Sequence, residues 1–212
     1  MKKWRIILFA AMTPLFFVGA AEAKPPTRNE LLIKLYSFMH GREAVPVESA
    51  RIVLTGPDRL EFLRKGKKGA LLRDGKPVVV FDGTRCWRNG KIGGNDATWI
   101  FQLLFAIRPA PELFGDLKLF PRPGAENVYT LLGRRDRYLT TALIALEGTT
   151  GRLESVTVLR DGVTRRFLPS EFRCEGDRNI PGRLRIDDVE YETRRVEWNV
   201  PLDDAFFRFP GE

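Results

Sequence analysis

Histidine and cysteine are scarce in this sequence of 212 residues: there is one His and there are two Cys. The single histidine, His40, leaves no second imidazole for a His-based metal site, and no carboxylates stand at metal-ligand spacing around it. At the end of an apolar-periodic segment it reads as a helix-end residue and not as a catalyst. No Gly-x-Ser-x-Gly occurs, which excludes the nucleophile elbow. Gly93-Gly94 lacks the Gly-Lys-Ser/Thr or Gly-x-Gly-x-x-Gly context of a phosphate loop. The acidic pairs Asp187-Asp188 and Asp203-Asp204 are consecutive residues, which on a strand face opposite ways and form no dyad. Neither cysteine lies in a Cys-x-x-Cys or beside the histidine, so redox chemistry is poorly supported. We read no catalytic residue, no metal ligand and no cofactor. A long linker is also missing, which favours one domain.

Long apolar runs are confined to the N-terminus. Residues 1–23 begin with Lys2, Lys3 and Arg5, continue as an apolar run from Ile6 to Ala21 and end Ala21-Glu22-Ala23. This is the pattern of a signal peptide cleaved before Lys24, and the run is short for the ~20 residues of a membrane span. No cysteine stands at the cleavage point to receive a lipid. The expected mature domain, 24–212, is a soluble protein of an exported compartment, most simply a bacterial periplasm. Its hydrophobic content (43% for the whole chain) suffices for a real core.

Of the net charge of +8, +2 belongs to the leader and +6 to the body, where the basic residues are dispersed (Arg64 to Lys68, Arg134-Arg135, Arg165-Arg166, Arg194-Arg195). Two readings stand: solvated strand faces and hairpin tips, or contact with an anionic membrane surface or acidic partner. Nucleic acid is not expected of an exported protein. Cys86 and Cys174, 88 positions apart, are either a disulfide, stabilising by about 4–5 kcal/mol in the chain-entropy view, or two buried thiols.

What is abundant is β-pattern. Residues 71–91 (LLRDGKPVVVFDGTRCWRNGK) carry Asp74-Gly75, Asp82-Gly83 and Asn89-Gly90 around two short runs, 77–81 and 84–88. Asp-Gly and Asn-Gly suit the positive-φ positions of type I′ hairpin turns, so the spacing predicts an antiparallel meander. Val80 and Trp87 are its apolar anchors. Upstream, Thr27-x-x-Glu30 is a capping box before Leu31, Leu32, Leu35, Phe38 and Met39, predicting a three-turn helix stopped by Gly41. Strands are expected at 49–55, 59–64 and 70–73, with a basic tip at 64–68 between the last two.

At Asp96 the period changes. Residues 96–107 (DATWIFQLLFAI) predict a helix of about twelve residues with Asp96 as N-cap, apolar nearly all round and too short to span a bilayer. It is either a core helix closing the mouth of the sheet or a lid over a cavity for an acyl chain. A short helical turn is expected at 111–117. Beyond the Pro/Gly break at 121–124, strands are expected at 127–133, 138–147, 153–159, 163–168 (after Asp161-Gly162), 170–175, 183–187 and 188–199, with a turn at 179–182. The tail at 201–210 is expected to pack Phe206, Phe207 and Phe209. The result is a mainly β (α+β) protein: an antiparallel sheet of about ten to eleven strands, large enough to curl, with apolar helices as its cover. A curved sheet with a dry concave face is a container for an apolar ligand.

The chain resembles the periplasmic lipoprotein-carrier proteins of the LolA/LolB type, the outer-membrane lipoprotein-sorting superfamily. The resemblance rests on the helix ending His40-Gly41 before the strand at 49–56, on the basic strand pair leading to Val80-Phe81-Asp82-Gly83…Trp87, and on the ending Phe172-Arg-Cys…Ile180-Pro-Gly-Arg-Leu…Trp198-Asn199-Val-Pro-Leu-Asp-Asp-Ala-Phe206 to Pro210. It implies an open half-barrel with helices covering its concave face. It also implies a non-catalytic carrier that holds a lipid or lipoprotein acyl chain, with Trp99, Phe101, Leu103, Leu104 and Phe105 over the cavity and Val80 and Trp87 lining it. A functional arginine is implied as well, with Arg51 and Arg73 both open for that role. The alternative is an envelope sensor or assembly factor that uses the same fold to contact an envelope protein partner.

Overall fold

The computed structural model describes residues 25–41, 45–88, 90–93, 96–121, 127–135, 140–160 and 162–211. The leader expected at 1–23 lies outside the described residues, as do Lys24, Asn89, Gly94, Tyr138, Asp161 and most of the break at 121–124.

Helix α1 (Arg28–His40) starts at the capping box: the Thr27 hydroxyl accepts from the Glu30 N–H at 3.3 Å, and the Glu30 carboxylate accepts from the Thr27 N–H at 2.6 Å. Leu31, Leu35 and Met39 face inward, and Gly41 ends the helix at φ 65. A side chain there would meet the Asp177 carbonyl oxygen at 2.5 Å, so glycine is required by space as well as by conformation.

Two meanders follow. The first is β1 (Ser49–Thr55), β2 (Arg59–Lys65), β3 (Lys68–Arg73), β4 (Lys76–Phe81), β5 (Cys86–Arg88) and β6 (Lys91–Gly93). Helices α2 (Trp99–Leu104) and α3 (Ala110–Leu113) separate it from the second. That one is β7 (Asp116–Pro121), β8 (Val128–Arg135), β9 (Thr140–Glu147), β10 (Leu153–Arg160), β11 (Val163–Glu175), β12 (Arg178–Ile186) and β13 (Val189–Trp198). All pair antiparallel in one thirteen-stranded sheet of order β6-β5-β4-β3-β2-β1-β13-β12-β11-β10-β9-β8-β7. The first and last strands pair at its centre, and β6 and β7 are its two edges, so the sheet is open and not closed into a barrel. The segment carrying α2 and α3 joins those two edges. It therefore has to cross a face of the sheet, and its apolar residues make that face the inner one.

The inner face of the sheet and the three helices form the main core, which includes Ile52, Leu54, Phe62, Leu104, Phe105, Leu131, Ile144 and Leu184. Period-two alternation sends the other residues outward, where Leu63, Ala70 and Leu72 pack with Leu202 and Phe207 of the C-terminal tail. The tail closes on a 3₁₀ turn (Asp204–Phe207), fixed by Lys68 to Asp204 at 3.0 Å.

Several expectations need correction. Among the described residues the strands number thirteen, not ten to eleven: β6 is only three residues long, and β7, although Leu117 and Leu119 alternate, begins inside the helical turn expected at 111–117. The runs 163–168 and 170–175 are one strand, β11, carried through Pro169. The turn expected at 179–182 is instead part of β12, whose register with β11 runs unbroken across it. Glu171, at φ 50, stands opposite Gly182, whose missing side chain leaves room for the Glu171 carbonyl. The true turn lies at Gly176-Asp177. The helix expected at 96–107 is only Trp99–Leu104, ended by Ala106 at φ 52, and its N-cap is Thr98 rather than Asp96. The short helix is Ala110–Leu113, and the rest of the expected turn at 111–117 leads into β7. In the tail Phe207 and Phe209 are buried but Phe206 is exposed.

Cys86 and Cys174 are free thiols, the first buried and the second exposed. They sit on β5 and β11, and no disulfide joins them.

Candidate ligand-binding site

Between the two arms of the sheet, on the side of α2, lies a cavity of about 600 Å³. Ligand sites usually span about 300–1,000 Å³. One wall comes from β2 to β5 (Leu60, Leu71, Val78, Val79), the other from β10 to β13 (Val158, Phe167, Ile186, Tyr191), and Ala97, Trp99, Ile100 and Phe101 cover it. The lining is mainly apolar, so each methylene moved into it from water contributes about 0.8 kcal/mol.

The cover is held from both arms. On the first, Thr98 sits against Gly69 of β3, where a Cβ would lie 2.4 Å from the Thr98 hydroxyl. Phe101 stacks on Phe62 of β2 at 5.3 Å. On the second, Trp99 meets Phe114 edge-on at 5.3 Å and lies under the Arg135 guanidinium of β8 at 5.4 Å. Phe114 in turn occupies the space over Gly133 of β8. Helix α2 thus bridges the arms, with the cavity on one side and filled core on the other.

A buried polar chain fixes the same helix. Arg64 of β2 donates through Nη1 to the Gln102 Oε1, and Gln102 Nε2 donates to Asp96 Oδ2 at 3.0 Å. Asp96 Oδ1 accepts from the N–H of Thr98 at 2.8 Å and from its hydroxyl at 2.5 Å. Arg64 and Gln102 are both buried. Burial, then the charge of Arg108, lowers the pKa of Arg64 from its ordinary value, and Asp96 acts the other way. The sequence pattern places Arg64 at a basic tip. Its parity with Leu60 and Phe62 was the available signal, since every second residue of a strand shares a face.

Of the residues expected at the cavity, Trp99 and Phe101 line it, while Leu103, Leu104 and Phe105 belong to the filled core on the far side of α2. Val80 pairs with Trp87 and with Ala70, and Ala70 pairs with Leu63, which places Val80 and Trp87 on the outer face. Their neighbours Val78 and Val79 take the lining positions. The reason is a bulge between Leu71 and Leu72 that shifts the register of β4, so that two adjacent valines reach the cavity. Arg51 is on the outer face, paired with Glu61 at 2.6 Å. Arg73 is at the cavity mouth, paired with Asp58 at 2.8 Å. Tyr191 lines the cavity as a neutral phenol; burial and a hydrogen bond with Asp58 raise its pKa to about 12. Among the described residues no helix is long and apolar enough to cross a membrane.

No family model matches the chain, and no curated protein matches it. Solved structures do. A LolA superfamily protein from Nitrosomonas europaea superposes with a TM-score of 0.54 at 14% identity, over 87% of this chain and 98% of that one. An outer membrane lipoprotein-sorting protein domain from Vibrio parahaemolyticus gives 0.40 at 11% identity, over 76% and 88%. The open antiparallel sheet with helices on its inner face is a LolA-like fold.

Proposed function

We propose that the protein is a periplasmic carrier that holds a lipid or lipoprotein acyl chain in the cavity beneath α2. One observation carries this: an apolar space of about 600 Å³ remains open between the arms although the adjacent core is filled. The leader at 1–23 supports export, and the LolA-like fold supports a carrier in preference to a catalyst. Native mass spectrometry after mild extraction is expected to find a lipid adduct, and the delipidated protein is expected to take up a fluorescent fatty acid. A clean apo mass together with no uptake refutes the carrier.

A second reading, a sensor or assembly factor, is favoured by apolar side chains that the fold leaves uncovered. Leu143 (43% exposed) and Leu159 (46%) lie on the outer face of β9 and β10, and Phe120 (47%) is on edge strand β7. Cross-linking in the envelope from Leu143 should capture a protein neighbour if this is the role, and none if the molecule acts alone.

A further inference from the structure

The size of the cavity limits what it can hold. A methylene group takes about 30 Å³, close to a water molecule's share of its liquid. A space of about 600 Å³ therefore takes about twenty carbons. One long acyl chain meets that number. Two chains of about sixteen carbons need about 1,000 Å³, and three need about 1,400 Å³. The 600 Å³ is a ceiling, because the space opens at the β10/β11 and β12/β13 turns, where the lining residues Val163 and Val189 are 54% and 38% exposed. The cover leaves no room to widen it. Thr98 is seated on Gly69, Phe101 on Phe62 and Trp99 on Phe114. Behind α2 the core is filled by Leu103, Leu104 and Phe105, and the gap between α1 and α3 at Met39 and Ala110 measures about 10 Å³, room for a single water. A second chain would thus stay in water and forfeit about fourfold in affinity for each methylene left there. At the mouth Arg73 is paired with Asp58 at 2.8 Å and Arg165 with Asp187 at 2.6 Å. The polar head of a guest lies at this hydrated, charge-paired rim, and the chain supplies the recognition.

We propose that the guest of this cavity is a lipid with a single acyl chain of up to about twenty carbons, a fatty acid or a lysophospholipid, and that the two-chain and three-chain anchors of lipoproteins are not held. The proposal rests on the carrier reading and narrows it to one class of lipid. It assigns selection to the number and length of chains, set by the rigid cover and the filled core behind it.

The test has two arms, both on the mature protein. In the first, straight-chain fatty acids of eight to twenty-four carbons displace the fluorophore N-phenyl-1-naphthylamine. We expect affinity to rise by about fourfold per methylene up to a break at about sixteen to twenty carbons, and to gain nothing beyond it. Val158→Phe adds about four carbons to the cavity wall and should move the break to chains about two to four carbons shorter; Val79→Leu on the opposite wall makes the same test if that variant does not fold. In the second, native mass spectrometry follows incubation with equal amounts of palmitate, palmitoyl lysophosphatidylethanolamine, dipalmitoyl phosphatidylethanolamine and a tripalmitoyl lipopeptide. We expect adducts of one or both single-chain lipids at least about tenfold above those of the other two, and which of them binds tells a free carboxylate from a lysophospholipid head. Equal capture of a two-chain or three-chain lipid overturns the single-chain guest and leaves the carrier standing. So does an affinity still rising at twenty-four carbons. A break that neither wall substitution moves overturns the assignment to this cavity. If no chain of any length binds, the carrier falls, and the proposal with it.

Discussion

His40 stacks on Tyr36 at 4.6 Å and is buried at the end of α1 beside Arg178. Burial, and then the charge of Arg178, lowers its pKa from 6.5 to about 4. Between those values the unfolded chain binds a proton that the folded protein refuses. Stability that is complete above pH 6.5 is therefore lost as the pH falls towards 4, by about 2 kcal/mol once solvent screening is allowed for. Urea midpoints at pH 7.5 and 4.5 should differ less in a His40→Asn variant than in the native protein. Glu147 does not confuse this window. Its bonds from Thr150 and Thr149 lower its pKa to about 2, so its own contribution, present above its ordinary value of 4.5, is lost mainly below that pH. A second residue-scale expectation concerns the chain from Arg64 to Asp96. Gln102→Leu leaves the buried Arg64 without the acceptor it uses and should cost about 3 kcal/mol. Arg64→Met removes the charge itself and should cost less. Chemical denaturation of the two variants checks the order, and the reverse order would show that Arg64 is solvated by other means.

Helix α2 shows which local structure could be read from the residues. The apolar character of 96–107 and the change of period at Asp96 were plain, and so was the choice between core and lid. The helix is both, filled core on one side and cavity cover on the other. Its length was not legible, because the stop is Ala106 at φ 52, a conformation imposed by tertiary packing for which alanine gives no signal. The meander was legible where turn chemistry is explicit: Asp74 and Gly75 both have positive φ, as the Asp-Gly pair required. It failed at the bulge by Leu71/Leu72, since alternation carries no mark of an extra residue, and at Glu171, whose positive φ opposite Gly182 no local pattern announces. Gly69 shows the same limit. Nothing local distinguishes it, yet it is the seat of α2. Gly69→Ala should push Thr98 away, disrupt its bonds to Asp96 and cost about 1–3 kcal/mol, with a gain of amide hydrogen exchange across α2. Unchanged exchange in α2 would mean that the helix is held from the β8 side alone.

At the scale of the molecule the decisive feature is an empty volume, which no run of residues states. The resemblance gave reason to expect a container, and the open sheet with its edge-to-edge helical segment is the geometry that makes one. Which side chains face it depends on register and bulges across eight strands, so Val79 lines the cavity and Val80 does not. The space can be removed without touching the fold. Val158 is buried on the cavity wall, and a larger side chain there has room to grow. Val158→Phe should fill part of the void, leave the thermal midpoint unchanged or raised, and weaken uptake of a fluorescent fatty acid by about tenfold or more. The same increase in bulk at Leu104, fully buried on the filled side of α2, should overpack the core at a cost of about 1–3 kcal/mol. If Val158→Phe destabilises as much as Leu104→Trp, the cavity is filled in solution and the carrier loses its main support. If it is stable and still takes up the probe, the guest lies elsewhere on the molecule. Only a stable, non-binding variant places the guest between the two arms of the sheet.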